Sequence, residues 1–146
     1  MVSLGLNISY EEAKEKVITN LNNEKAYYKF KEFVSYQQGN LDNLPESTYK
    51  YEIKSNKSGY LNNIDALTLG KLSMQLGAGR ISLDDKLDYG AGIVITKNIG
   101  DYIEENDTLM ELHTNKKINI KDISTEAFLI KNEPPTPVNL IYKVIK

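Results

Sequence analysis

The chain has 146 residues, of which 40% are apolar and 26% charged, with a net charge of -2. That is enough apolar material for one folded core, and it excludes a disordered tail. The charge gives no general attraction to nucleic acid or to an acidic membrane surface. The absence of cysteine excludes disulfides, thiolate metal sites and a cysteine nucleophile.

The apolar runs fall far short of the ~20 residues that cross a bilayer. No basic segment followed by an apolar stretch marks a secretory leader. The expected compartment is therefore the cytoplasm, with neither membrane nor nucleic acid as a partner.

In chain order, Met1, Val2, Leu4 and Leu6 give an apolar start with no cap before it. Two readings stand for it: the tail of a helix whose earlier turns lie upstream, or a short arm that packs down. Ser9 followed by Glu12 spells a capping box, and Ala13, Val17 and Leu21 repeat at helical spacing behind it. Asn22 and Asn23 end that helix. A second follows with Ala26, Tyr27, Phe30, Phe33 and Val34 on one side, and Gly39 is its expected stop. Residues 1–40 thus read as a helical hairpin.

The polar stretch around Pro45 reads as a surface crossing. Tyr49, Tyr51 and Ile53 alternate with Lys50, Glu52 and Lys54, the period of a half-buried strand, and Gly59 to Leu61 begins another. Asp65 is placed to cap a helix with the stripe Leu69, Leu72 and Leu76, and Gly77 fits its left-handed end. Short strands follow at Ile93–Ile95, Leu109–Thr114, Ala127–Ile130 and Val138–Ile145. Turns are expected at Gly100-Asp101 and Glu105-Asn106-Asp107. Helices first and mostly strands later argue for an α+β fold.

The candidate chemistry is thin. His113 is the one histidine and lies in a strand alternation with Leu109 and Glu111. A zinc site wants ~4 ligands, so a packed structural histidine is the better reading. Gly77-Ala78-Gly79-Arg80 ends a helix instead of opening one after a strand, so it is neither a dinucleotide fingerprint nor a Walker loop. Arg80 could reach a phosphate or carboxylate with both arms of its guanidinium, but the better reading is that it binds the last helix carbonyls or an interdomain acid. Asp84, Asp85 and Asp88 lack the spacing of a calcium loop. From the residues alone, no catalytic, cofactor or metal site is visible.

Three stretches together resemble the C-terminal region of pyrimidine-nucleoside and thymidine phosphorylases. The first is Lys29 to Val34 followed by Gln37-Gln38-Gly39-Asn40. The second is Leu76-Gly77-Ala78-Gly79-Arg80 with Asp85 to Ile93, which is the most specific. The third is Ile99 to Ile103 with Leu109 to Thr114. Leu140 to Ile145 is similar to the family's final strand. Asn40 stands where the family has aspartate, and Glu105-Asn106-Asp107 replaces its usual Lys-Gly turn; asparagine tolerates the left-handed conformation that such a turn requires.

The resemblance implies a division into a helical segment, 1–45, belonging to a large α/β domain, and a C-terminal domain, 46–146, of barrel-sandwich or hammerhead type. It implies that the apolar start is a cut inside a helix. The family converts a pyrimidine nucleoside and phosphate to free base and pentose 1-phosphate. Its phosphate loop and base contacts match nothing here, so no catalytic residue is carried over. The expectation is a chain inactive by itself, without cofactor, from an enzyme that is a homodimer at full length. Gly77, Gly79, Arg80, Asp88, Gly90 and Gly92 are the structural, interdomain candidates.

Two other readings compete. A biotinyl- or lipoyl-like carrier would modify Lys116 or Lys117 at a hairpin tip. A free-standing interaction module would use the apolar patch at Met1–Leu6.

Overall fold

The computed structural model describes residues 1–80, 82–137 and 143. The chain divides into two compact units, Met1–Leu44 and Pro45–Lys146.

The first unit holds α1 (Val2–Leu6), α2 (Tyr10–Asn22) and α3 (Lys25–Tyr36). The apolar start is thus one short helix. The capping box forms in full: the Glu12 amide donates to Ser9 Oγ at 3.2 Å, and the Ser9 amide donates to Glu12 Oε2 at 3.0 Å. The Ser9 amide first, and then the Ser9 hydroxyl, which donates to the same oxygen at 2.9 Å, hold the Glu12 carboxyl below the usual carboxylate range. α3 stops before the expected glycine. Gln38, not Gly39, takes the left-handed conformation, at φ 61°. Gly39 is small for another reason: a Cβ there would lie 2.7 Å from Val34 Cγ1.

Ala13 is the one buried apolar residue of this unit, while Leu4, Leu21, Phe30 and Phe33 are each more than half exposed. Little of the apolar surface of these three short helices is thus buried within their own unit.

The second unit carries β1 (Tyr49–Lys54), β2 (Gly59–Ile64), α4 (Ala66–Ser73), β3 (Gly92–Ile95), β4 (Tyr102–Ile103), β5 (Thr108–Thr114) and β6 (Phe128–Lys131). They form two three-stranded antiparallel sheets, ordered β1-β5-β3 and β4-β2-β6. With the helices this is an α+β fold. β5 is the centre of the first sheet, with Leu112 opposite Tyr51 on one side and Ile93 on the other. The expected strand at Val138–Ile145 lies outside the described residues, and the two-residue β4 was not foreseen.

One core joins both sheets and α4. Leu61 and Ile103 from one sheet, Leu109, Met110 and Leu112 from the other, and Leu69 and Leu76 from the helix all belong to it. α4 starts where Asp65 accepts from the Leu67 amide at 3.1 Å and from the Thr68 hydroxyl. The hydroxyl bond, then the amide, hold the Asp65 carboxyl below its ordinary value. The helical chain runs on past Ser73 through Met74–Ala78 and is broken there at Gly77, whose φ of 117° is not helical.

Both expected turns form. Gly100 sits at φ 102°, and Asn106 takes the left-handed conformation at φ 72°. The second turn is fastened by Asp107, which accepts from Lys97 Nζ at 2.7 Å and from the Glu104 amide at 3.2 Å. The lysine, then the amide, hold its carboxyl below the ordinary range. Among the described residues no helix is long and apolar enough to cross a membrane.

Candidate functional site

The candidate site is the end of α4 and the loop that follows. A helix end leaves carbonyls without partners. Here three consecutive carbonyls are taken by groups distant in sequence. Lys116 Nζ donates to the Gln75 carbonyl at 2.8 Å, and the Thr114 hydroxyl donates to that of Leu76 at 2.7 Å. The Asp88 amide donates to that of Gly77 at 2.9 Å. Thr114 is fully buried. Its hydroxyl also accepts from the Lys116 amide at 3.1 Å, so its polar group is satisfied on both sides.

Asp88 is the hub. Its carboxylate accepts from the Gly90 amide at 3.0 Å and from Asn115 Nδ2 at 2.8 Å. Asn115 Oδ1 in turn accepts from the Thr48 amide at 2.7 Å and the Thr48 hydroxyl at 2.6 Å. The entry to β1, the exit of β5 and both ends of the 78–87 loop therefore meet in one hydrogen-bonded cluster. Ser82 and Asp85 brace the loop internally: Asp85 accepts from the Ser82 amide at 2.8 Å and from its hydroxyl at 2.9 Å.

The glycines divide into those with a physical need and one without. Gly77 stands at φ 117° with a Cβ position only 3.2 Å from Asp88 Cβ. At Gly90 a Cβ would lie 2.7 Å from the Glu46 carbonyl carbon, a backbone clash. At Gly79 it would meet the Met74 side chain at 2.5 Å. At Gly92, the first residue of β3, it would meet nothing within 4 Å.

Of the two structural roles read for Arg80, the structure bears on the first. The helix carbonyls it was read as binding belong to Lys116, Thr114 and Asp88. The Arg80 side chain is exposed and makes no hydrogen bond or ion pair among the described residues. Sequence reasoning passed over Thr114 and Asn115, which make this site; their side-chain roles depend on a strand exit meeting a helix end. Their signal was weak: a Thr-Asn pair closing a strand.

His113 shares a face of β5 with Glu111. Its Nε2 is buried without a hydrogen-bond partner and lies 3.6 Å from Glu111 Oε2. That distance is an ion-pair contact at most, not a hydrogen bond. Among the described residues no cluster of three or more histidine and acidic groups is placed to hold a metal.

The carrier reading meets a geometric obstacle. Lys116 and Lys117 follow β5, whose next strand in sequence, β6, belongs to the other sheet, so they do not sit at a hairpin tip. Lys116 is also committed to the Gln75 carbonyl.

Residues 60–128 match the family model of the pyrimidine nucleoside phosphorylase C-terminal domain. That stretch runs from β2 into β6 and contains the whole 77–92 cluster. A pyrimidine-nucleoside phosphorylase of Staphylococcus epidermidis is 37% identical to this chain over 148 residues, covering 94% of the chain and 33% of the relative. One of Staphylococcus aureus is 35% identical over 144 residues, covering 92% and 33%. The chain thus matches the C-terminal region of the pyrimidine-nucleoside phosphorylase family. It spans about a third of the length of these curated relatives.

Proposed function

We propose that this chain is the part of a pyrimidine-nucleoside phosphorylase that shapes and docks the catalytic body without contributing a catalytic group. The full reaction would convert a pyrimidine nucleoside and phosphate to base and pentose 1-phosphate. The observation that carries the reading is the similarity to such enzymes across 94% of the chain.

Phosphorolysis needs an anion cradle and groups that hold the base as positive charge grows on the sugar. Among the described residues His113 and Arg80 are not brought together, and Ser82 and Asp85 brace the acidic loop. The site's order serves shape: it fixes a loop between α4 and β3. Gly77, Gly79, Arg80, Asp88 and Gly90 are its working parts, with Arg80 left free to meet an acid elsewhere in the enzyme. Gly92 finds no support in the local packing.

Residues 1–45 are read as part of a larger α/β domain and 46–146 as the C-terminal domain. The exposed apolar faces of α2 and α3 support that division, since such faces call for a covering layer. The groove lined by Val2, Tyr10, Ala13 and Val17, about 320 Å³, belongs to the same face. The complete enzyme is read as a cytoplasmic homodimer without nucleic-acid partners.

The test is phosphorolysis of uridine and thymidine by this chain, alone and with the N-terminal part of the Staphylococcus epidermidis relative supplied in trans. No turnover alone and turnover on complementation is the expected pair of results. Turnover by the chain alone contradicts the reading and makes Arg80 and His113 catalytic candidates again.

A further inference from the structure

The 78–87 loop leaves and returns to almost one point. The Asp88 amide bonds to the Gly77 carbonyl at 2.9 Å, so the loop's base is closed by a backbone bond. Ser82 and Asp85 supply the internal bonds. Leu83 in it is 94% exposed, and Arg80 is exposed as well.

One side chain outside the loop ties the returning end of its base to β1. Asn115, at the exit of β5, accepts twice from Thr48 and donates to Asp88 Oδ2. An amide carries a donor and an acceptor on one rigid plane, which this bridge needs and neither a carboxylate nor an apolar group supplies. Asp88 in turn holds the Gly90 amide, and Gly90 lies against the backbone of Glu46 and Ser47. Asn115 thus ties the strap's base to the start of β1 while lying outside the core.

We infer that Asn115 is a positioning residue that sets the bearing of the 78–87 loop. Its consequence for turnover rests on the proposed phosphorylase reading, because only there does the loop have a body to dock against. The positional claim is tested without that reading, in the 146-residue chain itself.

Amide hydrogen exchange is compared between the parent chain, Asn115→Ala and Asn115→Asp. With Asn115→Ala, exchange at Asp88 and Gly90 rises about tenfold, while Met110 and Leu112 in the sheet stay within about twofold of the parent, as expected of a local opening. Asn115→Asp sets a second carboxylate against Asp88 and releases the loop at pH 7. Lowering the pH adds a proton to the pair, restores a donor and recovers protection relative to the parent at the same pH. A uniform rise across the sheet, no change at 88–90, or no recovery of the Asp variant at low pH would each overturn the positioning role.

Asn115→Ala is then placed in a chimera joining the N-terminal part of the Staphylococcus epidermidis enzyme to this chain. A fall in kcat that tracks loop release supports the docking consequence. Loop release with unchanged kcat removes that consequence and leaves the positioning role standing.

Discussion

Gly77 and Gly92 look alike in the sequence, and the structure separates them. At φ 117° an alanine in place of Gly77 adopts a conformation that side chains rarely accept, with its Cβ against Asp88. Gly77→Ala is expected to destabilise by about 1–3 kcal/mol. Gly92→Ala is expected to stay within about 0.5 kcal/mol of the parent. Urea midpoints at equal slope measure both, and equal losses would contradict the assigned roles. The left-handed turn at Gly77 was legible, because a leucine stripe ending in glycine has few other meanings. The need for Gly90 was not, because it arises from a backbone segment more than forty residues away in the chain. Gly39 shows the same limit: its smallness serves a contact with Val34, while Gln38 takes the turn.

Asp107 gives a residue-scale pH dependence. Its carboxyl is held below the ordinary range by Lys97 and the Glu104 amide. A carboxyl depressed on folding contributes stability above its unfolded value and loses it as pH falls through the folded value. Asp107→Asn should therefore flatten the acid side of the thermal-midpoint profile, below about pH 4, relative to the parent. An unchanged acid limb would show that the pair with Lys97 contributes nothing.

At the scale of elements, capping and alternation carried most of the information. Ser9 with Glu12 marked the start of α2, Asp65 that of α4, and the tyrosine alternation that of β1. Elements held by distant partners were illegible. The carbonyls at the end of α4 are met by Lys116 and Thr114, and β4 is defined by its pairing with β2 over two residues. The helices of the first unit have intact local signals and almost no burial. Ser9→Ala should cost α2 about 1 kcal/mol, visible as lost ellipticity at 222 nm. In hydrogen exchange the amides of α2 and α3 should exchange faster than those of β5 in the same chain. Protection equal to that of β5 would contradict the view that these helices await a covering layer.

For the whole molecule, the class was readable and the topology was not. Helices followed by strands gave α+β, but the orders β1-β5-β3 and β4-β2-β6 pair strands far apart in the chain, which no local period records. The consequence is one core shared by both sheets. Leu112, fully buried in the central strand, should cost about 2–5 kcal/mol when cut to alanine. The near-UV signals of both sheets' aromatics, Tyr51 and Tyr60 among them, should be lost in a single transition. Two separate transitions within residues 45–146 would contradict a shared core.

The central claim is that this chain supplies shape to a pyrimidine-nucleoside phosphorylase and no catalytic group. The most direct test is turnover by the chimera in which it replaces the corresponding C-terminal third of the Staphylococcus epidermidis enzyme. The account predicts phosphorolysis of the same nucleosides as the parent enzyme, with KM close to the parent's, while the chain alone has none. A folded chimera without activity, or turnover by the chain alone, would contradict it.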